Sequence, residues 1–443
     1  MSLRHRLKSM VEEIPPPVGR VVASIPFSLR FGTAYTSMAR EVRTLEGAPT
    51  ARVRDWAYPR LQKIVDHAFH HNVAYRTICQ RHRFHPSHLA TFAHWQDVPI
   101  IDKTILREFE LEERSTPARG RLPINTGGTS GSPLAFYVDG QAFAREWAHM
   151  HHIWGRAGYH YRDLKLTMRA RNIGERLLKY NAVHNEWIVN TYADREAVLG
   201  ALARLVQRVD IGWIHGYPSI VAEIVTNLAA AEPATTARLR ERIKGVLLGS
   251  EFTALHYVEP IRRVLGVDTT AWYGHSEMCV LAYEAGENRY VPMHTYGFVE
   301  ALADGAGAQR LLSTSYWNTA APFIRYDTGD RITADVENGV VPAFSVTSGR
   351  DGDFVLDRKG APIALTALIF GRHHAAFGKI QHLQVRQSVP GAIELLIVPR
   401  DHGRSLDALM QWFDFSNVDI DVKPVLIDAP IRTAGGKIRL LVQ

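Results

Sequence analysis

Cysteine is almost missing from this 443-residue chain, which contains only Cys79 and Cys279. Two thiols so far apart exclude a disulfide framework and, with no close cysteine partner, a zinc ribbon. Long apolar runs are also lacking: nothing approaches the ~18 residues of a membrane span. The apolar stretch at 21–25 is cut by Pro26, too short for the core of a signal peptide. A cytoplasmic location and no transmembrane segment are therefore expected. Nucleic-acid motifs are absent too. The formal charge of +7 comes from basic residues spread along the chain, densest at Arg4, His5, Arg6 and Lys8. That pattern suits anionic small molecules rather than nucleic acid. Among the 21 histidines, His67, His70 and His71, and likewise His149 and His152, have helical spacing. No carboxylate joins them in a metal motif such as His-Glu-x-x-His, so packed or solvated rings are expected.

What the chain does contain is apolar residue in quantity, 46% of the total, enough for sizeable cores in roughly two to three domains. Residues 1–50 read as an irregular N-terminal segment, broken early by Pro15-Pro16-Pro17. Helical periodicity follows over 56–82, and Asp102 is placed to cap a helix running to 110. Between 164 and 299, short apolar runs (211–214, 246–248, 269–273) alternate with periodic helical ones (219–230, 257–265). This alternation predicts an α/β fold with a parallel sheet, the strands ending in small polar text where ligands gather. Beyond 350 the texture becomes that of a small α+β unit, with a strand at 393–398 and a helix at 406–413.

The densest chemical signal is Asn125-Thr126-Gly127-Gly128-Thr129-Ser130-Gly131-Ser132-Pro133. Its glycines let backbone N–H groups converge on an anion, and its hydroxyls add donors; the same text also suits an ordinary turn. It lacks the Gly-Lys-Ser/Thr ending of the common nucleotide-binding loop. The alternation of Leu134, Phe136 and Val138 makes it a hairpin tip. Three further segments follow: Tyr273-Gly274-His275-Ser276-Glu277, Arg325-Tyr326-Asp327-Thr328-Gly329-Asp330, and Arg432-Thr433-Ala434-Gly435-Gly436-Lys437.

In this order and rough spacing the four segments resemble those of the adenylate-forming, or acyl-adenylate synthetase, superfamily. The short N-terminal half, Pro99-Ile100-Ile101-Asp102-Lys103 and Gly216-Tyr217-Pro218-Ser219 look most like the phenylacetate-coenzyme A ligase branch, nearest its capsular polysaccharide biosynthesis relatives. The resemblance covers 55–443. It implies a large N-terminal domain (1–349) with parallel and mixed sheets and flanking helices, and a small mobile C-terminal α+β lid (350–443).

It also implies ATP-dependent activation of a carboxylic acid, aromatic or partly polar, as acyl-AMP with release of pyrophosphate. Acyl transfer to coenzyme A, or to an amine or hydroxyl acceptor, would follow. The cofactors implied are ATP and Mg²⁺, with coenzyme A where it is the acceptor. Lys437 would be the catalytic lysine, Ser276 would reach the α-phosphate and Glu277 would hold Mg²⁺. Thr126, Gly127, Gly128, Thr129, Ser130, Gly131, Ser250, Glu251, Tyr273, Gly274, Asp330 and Arg350 would bind the nucleotide. Tyr217, Trp272, His275 and His294 are the expected acid pocket. Plainer roles stand beside these: Tyr273 as a core aromatic, Glu277 as a helix-entry carboxylate, Asp327 as a turn residue and Arg350 as an ion-pair partner. Asp330 could likewise serve the Asp-Thr-Gly-Asp turn. Ser132 stands where many relatives carry lysine, and Gly352 where they carry a hinge aspartate. Two rival functions remain open, AMP transfer to a hydroxylated cofactor and a catalytically inactive nucleotide-binding scaffold. The oligomeric state is not legible.

Overall fold

The computed structural model describes residues 14–117, 120–125, 134–169, 171, 173–250, 253, 255–286, 288–303, 309–346, 354–365, 368–369, 380–399, 405–415, 418–431 and 440–442. Four helices open the described residues: α1 (Pro16–Ser24), α2 (Phe27–Thr44), α3 (Thr50–His71) and α4 (Val73–Arg81). The expected irregular segment is thus helical from Pro16. The proline run that suggested breakage supplies the first turn of α1, where a missing N–H costs nothing. Pro26 stands just before α2, and the left-handed Gly32 (φ 76°) kinks it, so that two helical stretches meet there. A short helix α5 (Lys103–Arg107) starts at Asp102, whose carboxylate accepts the Ile105 amide at 2.8 Å. It stops before 110 because Arg114 takes the Leu106 carbonyl and Glu113 takes the Glu110 amide.

The glycine-rich segment joins β1 (Leu122–Asn125) to β2 (Ala135–Val138), antiparallel partners as a hairpin requires. After α6 (Ala142–Arg156), strands and helices alternate: β3 (Lys165–Met168), β4 (Leu178–Asn181), β5 (Glu186–Val189), α7 (Arg195–Val206), β6 (Trp213–Gly216), α8 (Pro218–Ala231), α9 (Pro233–Arg242), β7 (Gly245–Leu248), α10 (Leu255–Leu265) and β8 (Thr269–Gly274). The pairs β5–β3, β3–β6, β6–β7 and β7–β8 are parallel. Strands β3, β6 and β7 are buried along their whole length, as a sheet covered on both faces demands. Antiparallel strands β9 (Leu281–Gly286), β10 (Arg289–Pro292), β11 (Gly297–Ala303), β12 (Gln309–Ser315), β13 (Tyr326–Ala334) and β14 (Phe344–Val346) extend it. The result is twelve strands in the order β11-β12-β13-β14-β10-β9-β8-β7-β6-β3-β5-β4.

One face of the parallel part packs Leu166, Met168, Ile214, Val246 and Leu248 against α7 to α10. The opposite face carries Lys165, Thr167, Trp213 and His215, since side chains alternate along a strand. It lies under α2 and α6, through aromatic contacts of Trp147, Trp154 and Tyr159. The later chain builds a separate hydrophobic core beneath a four-stranded sheet, order β19-β18-β17-β20, formed by β17 (Ile380–Val389), β18 (Ala392–Pro399), β19 (Asp421–Leu426) and β20 (Leu441–Val442). A hairpin of β15 (Phe354–Leu356) and β16 (Pro362–Ala364) accompanies it. The helix α11 (Leu406–Met410) is shorter than its sequence pattern, its end tightened by turns at Trp412 and Phe413.

Candidate active site

Connections leave β3 in both directions, toward β5 on one side and β6 to β8 on the other, which makes its carboxyl end a topological switch point. Three strand ends meet along this edge. Ser250, after β7, holds a left-handed backbone (φ 70°), as do Met278 (φ 53°), just after Glu277, and Arg325 (φ 43°), just before β13. Such conformations cost an L-residue energy and gather where the surrounding structure fixes a site.

The segment after β8 turns sharply, the Met278 amide bonding the His275 carbonyl at 3.1 Å. Gly274 and Ser276 are exposed at the rim while Glu277 is buried. The Tyr273 hydroxyl donates to Asp330 Oδ2 at 2.6 Å. His275 Nε2 lies 2.5 Å from the same hydroxyl and 3.0 Å from the same carboxylate oxygen, so its N–H is shared between them. Asp330 is therefore not a bare turn residue: a phenol and an imidazole converge on it. The Tyr273 ring also packs on Phe344 and Tyr290, which gives it a share of the core role. Asp327 serves the turn, accepting the Gly329 amide at 2.9 Å and pairing with Arg310 at 2.8 Å.

Glu277 Oε1 accepts the Tyr326 hydroxyl at 3.0 Å and faces Lys103 Nζ at 3.5 Å. Burial alone pushes its carboxyl upward, but Lys103, then His275 and the Tyr326 hydrogen bond, more than offset this. The group stays below the usual carboxylate range and is ionised at neutral pH. Lys103 reaches it because the segment 96–103 is docked on β13. The Ile101 amide bonds the Arg325 carbonyl and the Asp327 amide bonds the Ile101 carbonyl. Arg325, buried and paired with Glu300 at 3.0 Å, donates to the Gln96 and Val98 carbonyls at 2.6 and 2.8 Å. Neither Lys103 nor Arg325 stood out in the sequence as a site residue. Each lay inside a quoted segment, Pro99–Lys103 and Arg325–Asp330, but pairing across more than 170 positions has no local signature.

Of the expected acid pocket, Tyr217 and Trp272 lie at the same carboxyl edge, Trp272 tilted against His215 at 5.6 Å. Gly249 faces Trp272 so closely that a Cβ would stand 2.3 Å from the indole. His294 sits elsewhere, buried, its Nε2–H donating to the Val341 carbonyl at 3.0 Å beside Phe298. Thr126, Gly127, Gly128, Thr129, Ser130, Gly131, Ser132, Glu251, Arg350, Gly352 and Lys437 lie outside the described residues. His67 bonds the Thr319 carbonyl, His70 faces Asp66 and His152 faces Glu46; no metal-holding group of three side chains occurs among the described residues. No helix among them is long and apolar enough to cross a membrane.

No protein-family model and no curated protein matches the sequence. Solved structures do match. The chain superposes on 2-hydroxyisobutyryl-CoA ligase in complex with 2-HIB-AMP and CoA in the thioesterification state, with a TM-score of 0.55 and 17% identity over 89% of this chain and 90% of that one. The same ligase in the postadenylation state with R3-HIB-AMP gives 0.54 at 17% identity, over 89% and 90%. Its open conformation with 2-HIB-AMP and CoA gives 0.52 at 16%, over 89% and 92%. This chain has the fold of that ligase. The expected adenylate-forming architecture, a large mixed sheet with flanking helices, is present.

Proposed function

We propose that this protein activates a carboxylic acid with ATP, forming acyl-AMP and releasing pyrophosphate, and then passes the acyl group to coenzyme A or to an amine or hydroxyl acceptor. The observation that carries this reading is the convergence of Tyr273, His275 and Asp330 beside an ionised, buried Glu277. They meet at the carboxyl edge of a sheet whose fold is that of a ligase solved with an acyl-AMP and CoA. Attack of a carboxylate on the α-phosphate brings an anion to a polyanion, so the site must supply fixed positive charge and donors. Lys437 and the loop at 126–131 are proposed for that role, with Ser276 at the α-phosphate. Arg350 and the Asp330 carboxylate would hold the ribose hydroxyls, and Ser250, Glu251 and Gly274 would border the base.

Glu277 fits a magnesium ion, which favours one or two carboxylates completed by phosphate oxygens, and Lys103 would turn from it as the cation arrives. Bound there, the ion would neutralise phosphate charge. Residues 1–349 would bind ATP and acid, and residues 350–443 would form the mobile lid that brings Lys437 in. A phenylacetate-coenzyme A ligase-like branch with a role in polysaccharide assembly is the finer form of the proposal. It rests on the text at 99–103 and 216–219.

The test is pyrophosphate release from ATP and Mg²⁺ across a panel of carboxylic acids, with hydroxylamine trapping acyl-AMP. Acid-dependent release, lowered ~10²–10³-fold in Lys437→Ala, is expected. Release that needs no acid but yields an AMP-modified product would establish the AMP-transfer rival; ATP binding without turnover would establish the scaffold.

A further inference from the structure

Strand alternation puts Lys165 and Thr167 of β3 on the polar face of the sheet, with Arg169 next in step just beyond the strand. The register sets Lys165 beside Trp213 and Thr167 beside His215, so the same step carries Arg169 to Tyr217. Its guanidinium carbon lies 5.4 Å from the Tyr217 ring centroid, and its Nη2 reaches Ser250 Oγ at 3.4 Å. Arg169 therefore spans the ends of β3, β6 and β7 over a floor of His215 and Trp272.

The charge there is poorly matched. Ser250 and the Tyr217 face are neutral, and among the described residues no carboxylate comes within ion-pair distance of Arg169. His215 is buried, its Nδ1 has no hydrogen-bond partner, and burial holds its pKa well below the ordinary value, so it is neutral. Glu146 on α6 feels the field of Arg169, but burial is the larger effect and pushes its pKa up to about 7.

We propose that Arg169 is a specificity residue that binds a second anionic group on the acid substrate, at the end away from the carboxylate being adenylated. This rests on the acyl-activation reading and narrows its substrate to acids carrying two negative groups. A guanidinium presents a planar fork suited to a carboxylate, and an acid lacking that group would leave the fork only the neutral Ser250 hydroxyl and Tyr217 ring among the described residues.

The experiment compares kcat/KM in acid-dependent pyrophosphate exchange for straight-chain dicarboxylic acids and monocarboxylic acids of equal length. ATP affinity is measured separately without acid, and thermal melts check that each variant folds. The wild type should favour the diacid, and Arg169→Gln should lower the diacid-to-monoacid ratio about 10²-fold, mainly through KM. Arg169→Lys, which keeps the charge but not the fork, should recover part of the ratio. An unchanged ratio, or a wild-type preference for monoacids, overturns the assignment while leaving acyl activation intact. Loss of ATP affinity by a similar factor moves Arg169 to the nucleotide and also overturns it. Exchange with no acid at all would remove the reading beneath it.

Discussion

Two lysine–glutamate pairs sit at different depths in this sheet, and they are built differently. Lys165 and Glu186 are 3.3 Å apart, with side chains 1% and 5% exposed. Every polar atom there is engaged: Glu186 also accepts from Thr167 at 2.7 Å and Asn181 at 2.9 Å, while Lys165 donates to the His184 carbonyl at 2.8 Å. Lys103 and Glu277 stand farther apart, 3.5 Å, with the lysine 24% exposed, and Lys103 and the Tyr326 hydroxyl converge on one carboxylate oxygen. A saturated pair in the interior can do nothing but hold its elements in register. A loose pair at a strand end, with a lysine free to turn to solvent, can exchange its cation for another.

The sharpest way to break this contrast is to remove one member of the deep pair. Lys165→Met leaves Glu186 charged and enclosed, so unfolding free energy should fall by ~3–5 kcal/mol in denaturant titrations. Replacing Glu186 by leucine in the same chain should recover much of it, because the buried carboxylate is then gone. A loss below ~1 kcal/mol in the single variant would show that the deep pair is not enclosed as described.

The shallow pair should respond in the opposite currency. Glu277→Gln keeps shape and leaves Lys103 able to face water, so stability should stay within about 1 kcal/mol of wild type. Pyrophosphate exchange should fall about 10²-fold, with a raised requirement for Mg²⁺. Full activity in this variant would remove Glu277 from the chemistry and make the two pairs alike.

Acid titration separates the regions further. His149 and His294 are held down to about 4 by burial. Each is fixed as a neutral tautomer: Nδ1–H of His149 donates to the Arg145 carbonyl, and Nε2–H of His294 to the Val341 carbonyl. Unfolded histidine takes its proton near 6.5, so the unfolded state binds more protons below that pH. Stability is therefore fully present above ~6.5 and falls as pH drops toward about 4, by on the order of 3 kcal/mol for each ring. For Glu186, burial works upward but Lys165, His184 and Arg171 prevail, and its folded pKa lies well below the ordinary value. Its contribution persists above ~4.3 and is lost only as pH falls through that lower folded value. Replacing His149 and His294 by glutamine should shrink the first phase without abolishing it, since burial also lowers His151, His184 and His215, and should leave the second in place.

How much of this the sequence disclosed depends on distance along the chain. Val246-Leu247-Leu248 followed by Gly249-Ser250 announces a buried parallel strand and its ligand-side end, because both signals are local. Asp102 as a cap and the hairpin around the glycine-rich loop were legible for the same reason. Helix α2 was not. Its order comes from Phe27, Phe31 and Tyr35 packing on Trp147, His151 and His184, contacts that no local pattern encodes. The same holds for the anchoring of 96–103 by Arg325 and for Arg169, whose meaning appears only once β3 and β6 are in register.

The smallest expected effect concerns Tyr273, where both kinds of role meet in one residue. Phenylalanine there would keep the packing on Phe344 and Tyr290 while deleting the hydroxyl that donates to Asp330 and faces His275. The lost hydrogen bond should cost about 1 kcal/mol of stability. ATP affinity should change by no more than about threefold, because on the proposed reading the ribose hydroxyls would compete with that phenol for Asp330 and its removal would ease their access. If affinity instead falls tenfold or more, the phenol and imidazole act together to aim Asp330 at the ligand. Tyr273 would then belong with Glu277, among residues whose contacts serve the site rather than the fold.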